Sequence, residues 1–100
     1  MKRKISEPND LRTIPGVGPS ISRDLVDLGF RSVANLHGAD PEEMYGRLQI
    51  LRGGPIDRCV LYVFRSAVYF AVSRRPDPEL LKWWNWKDRP DPRNPKRRER

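Results

Sequence analysis

Two glycines that flank one apolar residue form the part of this 100-residue sequence with the clearest chemical potential. Gly16 and Gly18 stand on either side of Val17, and Pro19 follows at a position typical of a helix start. Glycine permits positive φ and close backbone approach, so the segment predicts a tight turn with Val17 inserted into the core. The first amides of the following helix lack intrahelical acceptors and lie at the positive end of its dipole. The sequence therefore predicts an anion site, for example for a phosphate oxygen, made of main-chain NH groups.

Polar side chains near this turn can add donors and positive charge for a phosphate. Ser20 supplies a hydroxyl without charge, and Arg23 lies one turn later on the exposed face of the predicted helix. Asp24 and Asp27 stand on the same helix and oppose the charge of Arg23. Each phosphate neutralised on duplex DNA contributes about −0.9 to the slope of the logarithm of the binding constant against the logarithm of salt concentration. With only two or three such contacts we expect modest affinity. The predicted nucleic-acid-binding residues are Gly16, Val17, Gly18, Ser20, Arg23 and Arg12.

Other kinds of site do not fit this sequence. The third glycine of the dinucleotide fingerprint is replaced by Ile21, and the Gly-Lys-Ser/Thr of the P-loop is missing. His37 and Cys59 are the only residues of their types, so they cannot build a metal-ligand cluster. The acidic residues at 40–43 are better explained by the start of a helix than by acid–base chemistry. We therefore predict no catalytic residues, no metal, no cofactor and no enzymatic activity.

Three tryptophans stand within four residues, with basic residues among them. Aromatic rings between lysines can stack on unpaired bases or pack on a partner protein, so Trp84 and Trp86 are candidates for either contact. The alternative interpretation is structural, because Trp83 and Trp86 share a face with Leu80 and can hold their segment on the core. In that case Trp84 is the ring most exposed to solvent.

Apolar spacing and helix-capping residues predict the elements that position the turn. Residues 19–28 carry apolar side chains at i, i+4 and i+7, and Gly29 follows as a stop. Ser32 is suited to cap a short helix that ends at Gly38. Asp40, with proline at the next position, is predicted to cap a longer helix. The apolar stripe of that helix is formed by Met44, Leu48 and Leu51.

The longest apolar segment is predicted to be the central helix of the fold. It begins at Asp57 and runs to about Arg74, and Pro76 prevents its continuation. Because it is apolar on most sides, the other helices are expected to surround it. Arg58 and Arg65 share one of its faces, where they can reach the surface, extend a phosphate-binding stripe or, most ordinarily, form an internal salt bridge. A last short helix with the tryptophans repeats an Asp-Pro-Glu start.

Composition divides the chain into a core and two ends. Hydrophobic residues make up 37% and charged residues 33%, so part of the chain is expected to lie outside the folded unit. The net charge of +7 comes mostly from the end of the chain, where the Pro-rich segment from Arg89 cannot form a core. We predict a flexible N-terminus over 1–8, a domain over 9–88 and a disordered basic tail over 89–100. No alternating strand pattern of useful length occurs, so the domain is expected to be all-α.

A single cysteine, Cys59, lies among apolar residues and cannot form an internal disulfide, which favours a reducing compartment. The N-terminus does not join a basic start to an apolar stretch and a cleavage site. The most apolar segment also falls short of the ~20 residues needed to span a bilayer. We therefore predict a cytoplasmic protein without membrane contact.

The turn and its flanks resemble the helix-hairpin-helix motif. That motif has an apolar residue, a glycine, an apolar residue and a glycine, followed by a small residue four positions later and an apolar residue three beyond. The matching positions here are Leu11, Ile14, Pro15, Gly16, Val17, Gly18, Ser22 and Leu25. The resemblance implies that hairpin amides and a nearby basic side chain hold phosphates without reading bases. The sequence departs from the motif at Ser20, where DNA binders often have lysine or arginine.

Over residues 11–88 the sequence also resembles the bacterial pathogenicity-locus family of small helix-hairpin-helix proteins, some of which carry the label mitomycin resistance protein. The segments that carry this resemblance are Ile14–Ile21, Gly38–Glu43, Asp57–Arg65 and Pro78–Asp88. It implies a compact five-helix, SAM-like domain with a short Trp-rich C-terminal helix and an association with DNA.

Two functions agree with these patterns. The first is binding of nucleic acid, most readily the backbone of double-stranded DNA, without sequence specificity and in the service of DNA repair or damage resistance. The second is a protein–protein interaction module that uses the Trp-rich segment and the apolar central helix, with a purely structural hairpin.

Overall fold

Three α-helices carry the fold in the computed structural model, which describes residues 10–98. They are α1 (Pro19–Asp27), α2 (Pro41–Arg52) and α3 (Arg58–Val72). Four short 3-10 helices connect or extend them, at Leu11–Thr13, Val33–Leu36, Pro78–Leu81 and Trp83–Trp86. No strand occurs between residues 10 and 98. The all-α prediction is confirmed, and the flexible N-terminus predicted over 1–8 lies outside the described residues.

The number of full helices differs from the five predicted. The helix expected after Asp77 is two 3-10 helices, because Lys82 adopts an extended conformation with φ −87° and ψ 112°. The segment before the turn is a single 3-10 helix at Leu11–Thr13, and Ile14 already leaves it in an extended conformation. We call the two 3-10 helices Pro78–Leu81 and Trp83–Trp86 the tryptophan segment. The carboxylate of Asp77 accepts a hydrogen bond from the backbone NH of Glu79 at 2.9 Å, which confirms that the segment starts at Asp77 as predicted.

The central position of α3 is confirmed by its burial. Its side chains Leu61, Phe64 and Ala67 are fully buried, and α2 and the tryptophan segment pack against it. The carboxylate of Asp57 caps its start by accepting from the amide of Cys59 at 2.9 Å, a bond that lowers the pKa of Asp57. The helix ends at Val72 rather than near residue 74, because the next residue turns to an extended conformation.

Helix α2 is capped as the sequence predicts, but its last turn is exposed. The carboxylate of Asp40 accepts from the amide of Glu42 at 3.0 Å, and Gly53 ends the helix with φ +81°. Met44 and Leu48 are buried as expected. Leu51 is 54% exposed, so its predicted place in the apolar stripe is wrong: the final turn of α2 extends past the core.

The short helix at Val33–Leu36 is capped from a distant part of the chain. Ser32 makes no side-chain capping hydrogen bond, contrary to the prediction. The amide of Val33 instead donates to the carboxylate of Asp10 at 2.9 Å, across 23 residues. This bond ties the segment before the turn to the segment after α1, and Leu11 and Leu36 from these segments belong to the same core as Leu25 and Leu28.

The C-terminal segment forms hydrogen bonds and an ion pair up to Arg98, while the domain predicted over 9–88 and the disordered tail predicted over 89–100 stay predictions. Pro92 is buried, and Arg89 donates from its Nε to the carbonyl of Asn85 at 3.1 Å. Arg98 pairs with Asp88 at 3.0 Å. Pro92 and its neighbours line a pocket together with the start of α2, so this segment contacts the domain.

Candidate nucleic-acid interface

The turn before α1 is fixed by apolar anchors. Leu11, Ile14 and Val17 are buried in the core formed with α1, α2 and α3. The amide of Val17 donates to the carbonyl of Ile14 at 3.0 Å. The prediction that Val17 is inserted into the core is confirmed. Its own amide has an acceptor in the turn, so the structure does not offer that NH group to a phosphate.

The two glycines of the turn have different conformations. Gly16 has φ +88°, and a Cβ added there would lie 3.4 Å from Cδ1 of Trp83. Gly18 has φ −95° and ψ −168°, an extended conformation open to any residue, and a Cβ there would meet nothing within 4 Å. The positive φ expected at both positions therefore occurs only at Gly16.

Four main-chain NH groups at this turn have no acceptor among residues 10–98. They belong to Gly16, Gly18, Ser20 and Ile21. Pro19 occupies the first helical position and has no NH group. The first hydrogen bond of α1 is donated by the backbone NH of Ser22 to the carbonyl of Gly18 at 2.9 Å. Gly16, Gly18 and Ser20 are exposed residues, and Ile21 is half-buried. The start of α1 thus presents donors and a positive dipole end to solvent, an arrangement that favours an anion.

The two predicted arginines near the turn are exposed and carry free positive charge. Neither Arg12 nor Arg23 forms an ion pair with a carboxylate within residues 10–98. The exposed Ser20 stands at the start of α1, next to the unpaired amides. The charge of the two arginines is therefore not neutralised by a carboxylate in this part of the chain.

Arg52 is a residue of this region that the sequence did not reveal. One of its nitrogens, Nη2, lies 2.6 Å from Asp24 and 2.8 Å from Asp27. Hydrogen bonds to Asp24 and then Asp27 raise the pKa of Arg52. Asp24 and Asp27, the two carboxylates that oppose Arg23 on α1, are thus both paired with the same cation, Arg52 of α2. Arg52 is 28 and 25 residues away from these aspartates in the sequence, so no local sequence pattern predicts the pairing. The groups meet only in the folded chain.

The three tryptophans divide into buried and exposed rings. Trp86 is 0% exposed, donates from its Nε1 to the carbonyl of Leu80 at 2.7 Å, and lies 5.2 Å from the Tyr69 ring. It is therefore inaccessible to a base or partner, which corrects its place among the candidates. Trp83 packs on the core, and Trp84 is 56% exposed. The structural interpretation of Trp83 and Trp86 is confirmed.

Arg65 forms the internal salt bridge that the sequence favours for α3. It is 1% exposed, with Nη2 2.6 Å from the Glu42 carboxylate and Nη1 2.7 Å from the Trp86 carbonyl. Its guanidinium lies 5.6 Å from the ring centre of Tyr62, and its Nε has no acceptor within residues 10–98. The exposed Arg58 lies 6.0 Å from the same ring. A phosphate-binding stripe through Arg65 is excluded by this burial.

Neither a metal site nor a membrane-spanning helix is found among the described residues. Between residues 10 and 98, no three histidine, cysteine, aspartate or glutamate side chains cluster closely enough to hold a metal ion. No helix in this range has the length and apolar character to cross a membrane. Cys59 contacts the capping Asp57, whose hydrogen bond raises the pKa of the thiol.

This small all-helical domain matches known sequences over most of its length. The Cdd1 family model, described as Pathogenicity locus, matches residues 4–91. The chain is 33% identical over 81 residues to the mitomycin resistance protein McrB of Streptomyces lavendulae, an alignment that covers 81% of this chain and 73% of that protein. The chain therefore belongs to the pathogenicity-locus family. No solved structure matches it.

Proposed function

We propose that this protein binds the phosphate backbone of nucleic acid, most readily duplex DNA, without reading its sequence. The observation that carries the proposal is the group of four NH donors without acceptors among the described residues, at 16, 18, 20 and 21, of which the first three belong to exposed residues. Assignment of the turn as a helix-hairpin-helix motif, within a SAM-like domain, belongs to the same proposal. So does a cytoplasmic site of action.

The charges around the turn support a phosphate ligand. Arg12 and Arg23 are exposed without carboxylate partners in the described part of the chain, and Arg52 pairs both acidic residues of α1. Main-chain amides and arginines contact phosphates without distinguishing bases. With two or three phosphates neutralised, we expect the logarithm of the binding constant to fall with a slope of about −2 to −3 against the logarithm of salt concentration.

A role in DNA repair or damage resistance is part of the proposal. It is supported by the name of the Streptomyces relative, which refers to mitomycin resistance. Backbone binding without sequence preference suits such a role, since damage occurs without regard to sequence.

The test is a salt titration of binding to a short DNA duplex with variants at Gly18. A side chain fits there without strain, so the variants are expected to fold. Aspartate at this capping position covers the amides of residues 20 and 21 and repels phosphate, whereas alanine leaves the amides free. We expect Gly18→Asp to weaken binding at least tenfold, about 1.4 kcal/mol, and Gly18→Ala to change it less than twofold.

Two further substitutions separate the turn from the basic tail. Arg93→Ser with Arg97→Ser removes exposed tail charge in the full chain. Under the proposal these substitutions lower affinity mainly at low salt, because they act at long range. Equal binding by Gly18→Asp and the unchanged protein, together with complete loss in the tail variant, would mean that the turn has no binding role.

A second candidate function, protein–protein interaction, is favoured by exposed apolar residues. Ile50 is 82% exposed beside Leu51 on the last turn of α2. The apolar part of α3 is buried, so the candidate surface is the end of α2 rather than the central helix. Light scattering after size-exclusion chromatography checks this candidate: concentration-dependent association that Ile50→Lys abolishes would support it, and a constant monomer would count against self-association.

A further inference from the structure

The exposed indole of Trp84 is held close to the turn that we propose as the phosphate site. Trp83 connects them: its Cδ1 lies 3.4 Å from the position of a Cβ at Gly16, and its ring centre lies 5.6 Å from that of Trp84. The two indoles meet edge to face at 86°. A nucleotide rises about 3.4 Å along one strand, so Trp84 lies within a few nucleotides of a phosphate bound at the turn.

The backbone around Trp84 is fixed by internal hydrogen bonds. The side-chain NH₂ of Asn85 donates to the carbonyl of Glu79 at 2.6 Å, and the backbone NH of Asn85 donates to the carbonyl of Lys82 at 3.0 Å. Trp86, two residues later, is fully buried. Because the backbone there is already ordered, only the side-chain torsions of Trp84 remain to be fixed when a flat group stacks on its ring.

An unpaired positive charge also follows Trp84 in the sequence. Lys87 follows the tryptophan segment, is exposed, and forms no ion pair within the part of the chain that the structure describes. Lys82, by contrast, pairs with Glu79 at 3.0 Å. An exposed indole followed three residues later by an unpaired lysine suits single-stranded nucleic acid, which aromatic rings and positive charges bind together.

From this juxtaposition we propose that Trp84 stacks on an unpaired base of the strand whose phosphate the turn holds. Bases within a duplex are already stacked on their neighbours, whereas a base in an overhang, gap or flap is available to an aromatic ring. The preferred ligand is therefore the boundary between duplex and single-stranded DNA. This inference rests on the proposed function, because it needs a phosphate at the turn.

The test measures binding of the full-length protein to four fluorescent DNAs of equal duplex length. One is blunt, one has a short 3′ overhang, one has a short 5′ overhang, and one has abasic overhangs that keep the phosphates without bases. We expect one of the base-containing overhangs to bind about tenfold more tightly than the blunt duplex, as one stacked base supplies. The abasic overhangs are expected to lose that gain.

Substitutions then assign the gain to one ring. Trp84→Ala should bring the favoured overhang to the affinity of the blunt duplex, and Trp84→Phe should retain most of the preference. Leu51→Ala, which removes a comparably exposed apolar side chain at the end of α2, should change neither.

The outcomes separate this inference from the proposed function. Equal affinity for blunt and overhanging DNA, or an overhang preference that survives in Trp84→Ala, would overturn the stacking role even when Gly18→Asp weakens binding to every DNA. If Gly18→Asp weakens binding to none of them, the phosphate site itself is wrong. Preference for the overhang that persists without its bases would place the contact on the phosphates alone and so overturn the stacking role as well.

Discussion

At the start of α1, four NH groups have no acceptors among residues 10–98, and three of them belong to exposed residues. In the middle of α3, by contrast, a charged guanidinium is buried against carboxylate and carbonyl partners. The first region has no charged side chain at its centre and leaves its donors to solvent. The second region, around Arg65, directs two of its donor nitrogens into the protein. Both regions contain strong hydrogen-bond donors, and only the first of the two offers them to a ligand.

Charge in the sequence is therefore a poor guide to the surface proposed here for binding. Arg65 is a strong cation, yet it connects α3 to the carboxylate of Glu42 and the carbonyl of Trp86, so its role is structural. The segment Gly16–Gly18 is uncharged, yet its main-chain geometry suits an anion. The same contrast holds for Trp86, which is buried, and Trp84, which is exposed.

The largest expected effect of a substitution is on stability and belongs to Arg65. Arg65→Ala removes its bonds to Glu42 and Trp86 and leaves a cavity in the core, so we expect the free energy of unfolding to fall by about 3 kcal/mol or more. Urea denaturation measures this change. Arg58→Ala, an exposed arginine over the same Tyr62 ring, is the control and should change stability little. Equal stability of both variants would show that the buried guanidinium of Arg65 is dispensable.

The two glycines of the turn provide a smaller, contrasting pair of effects. Gly16→Ala forces a side chain into the left-handed region and against Trp83, so a loss of about 1–2 kcal/mol is expected. Gly18→Ala introduces a methyl group into open space and should stay within about 0.5 kcal/mol of the original. Thermal or urea unfolding of the two variants checks this order. Similar losses at both positions would contradict the geometry of the turn.

The smallest effect concerns Arg52, and it is expected in binding. Arg52→Gln leaves Asp24 and Asp27 on α1 unpaired. At low salt the variant should bind DNA about threefold more weakly than the unchanged protein. At high salt, where the repulsion is screened, the two affinities should be equal. Arg52→Lys keeps the charge and serves as the control. The triple variant, in which Asp24→Asn and Asp27→Asn accompany Arg52→Gln, carries neither repelling carboxylate and should restore affinity at least to that of the unchanged protein. An effect that persists there would assign Arg52 a different role.

Local patterns were sufficient to predict much of the fold. The caps at Asp40, Asp57 and Asp77 and the buried Leu25 follow from interactions within one or two helical turns, so their spacing is visible in the sequence. The turn itself is also local, since Val17 donates to a carbonyl three residues earlier.

Contacts between distant segments could not be predicted in the same way. Arg52 meets Asp24 across 28 residues, and Asp10 accepts from the amide of Val33 across 23. The exposure of Leu51 depends on where the core ends rather than on the apolar stripe of its own helix. The conformation of Gly18 is likewise determined by the path of the chain into α1, because glycine itself permits several conformations.

Binding of phosphate at the turn can be observed residue by residue in a ¹⁵N chemical-shift titration of the full-length protein with a short blunt DNA duplex. We expect the largest amide shifts at Gly16, Gly18, Ser20 and Ile21, the groups without acceptors among the described residues. A smaller shift is expected for Val17, whose amide is already bonded. Shifts confined to the basic segment from Arg93 onward, with the turn unchanged, would contradict a phosphate site at the start of α1.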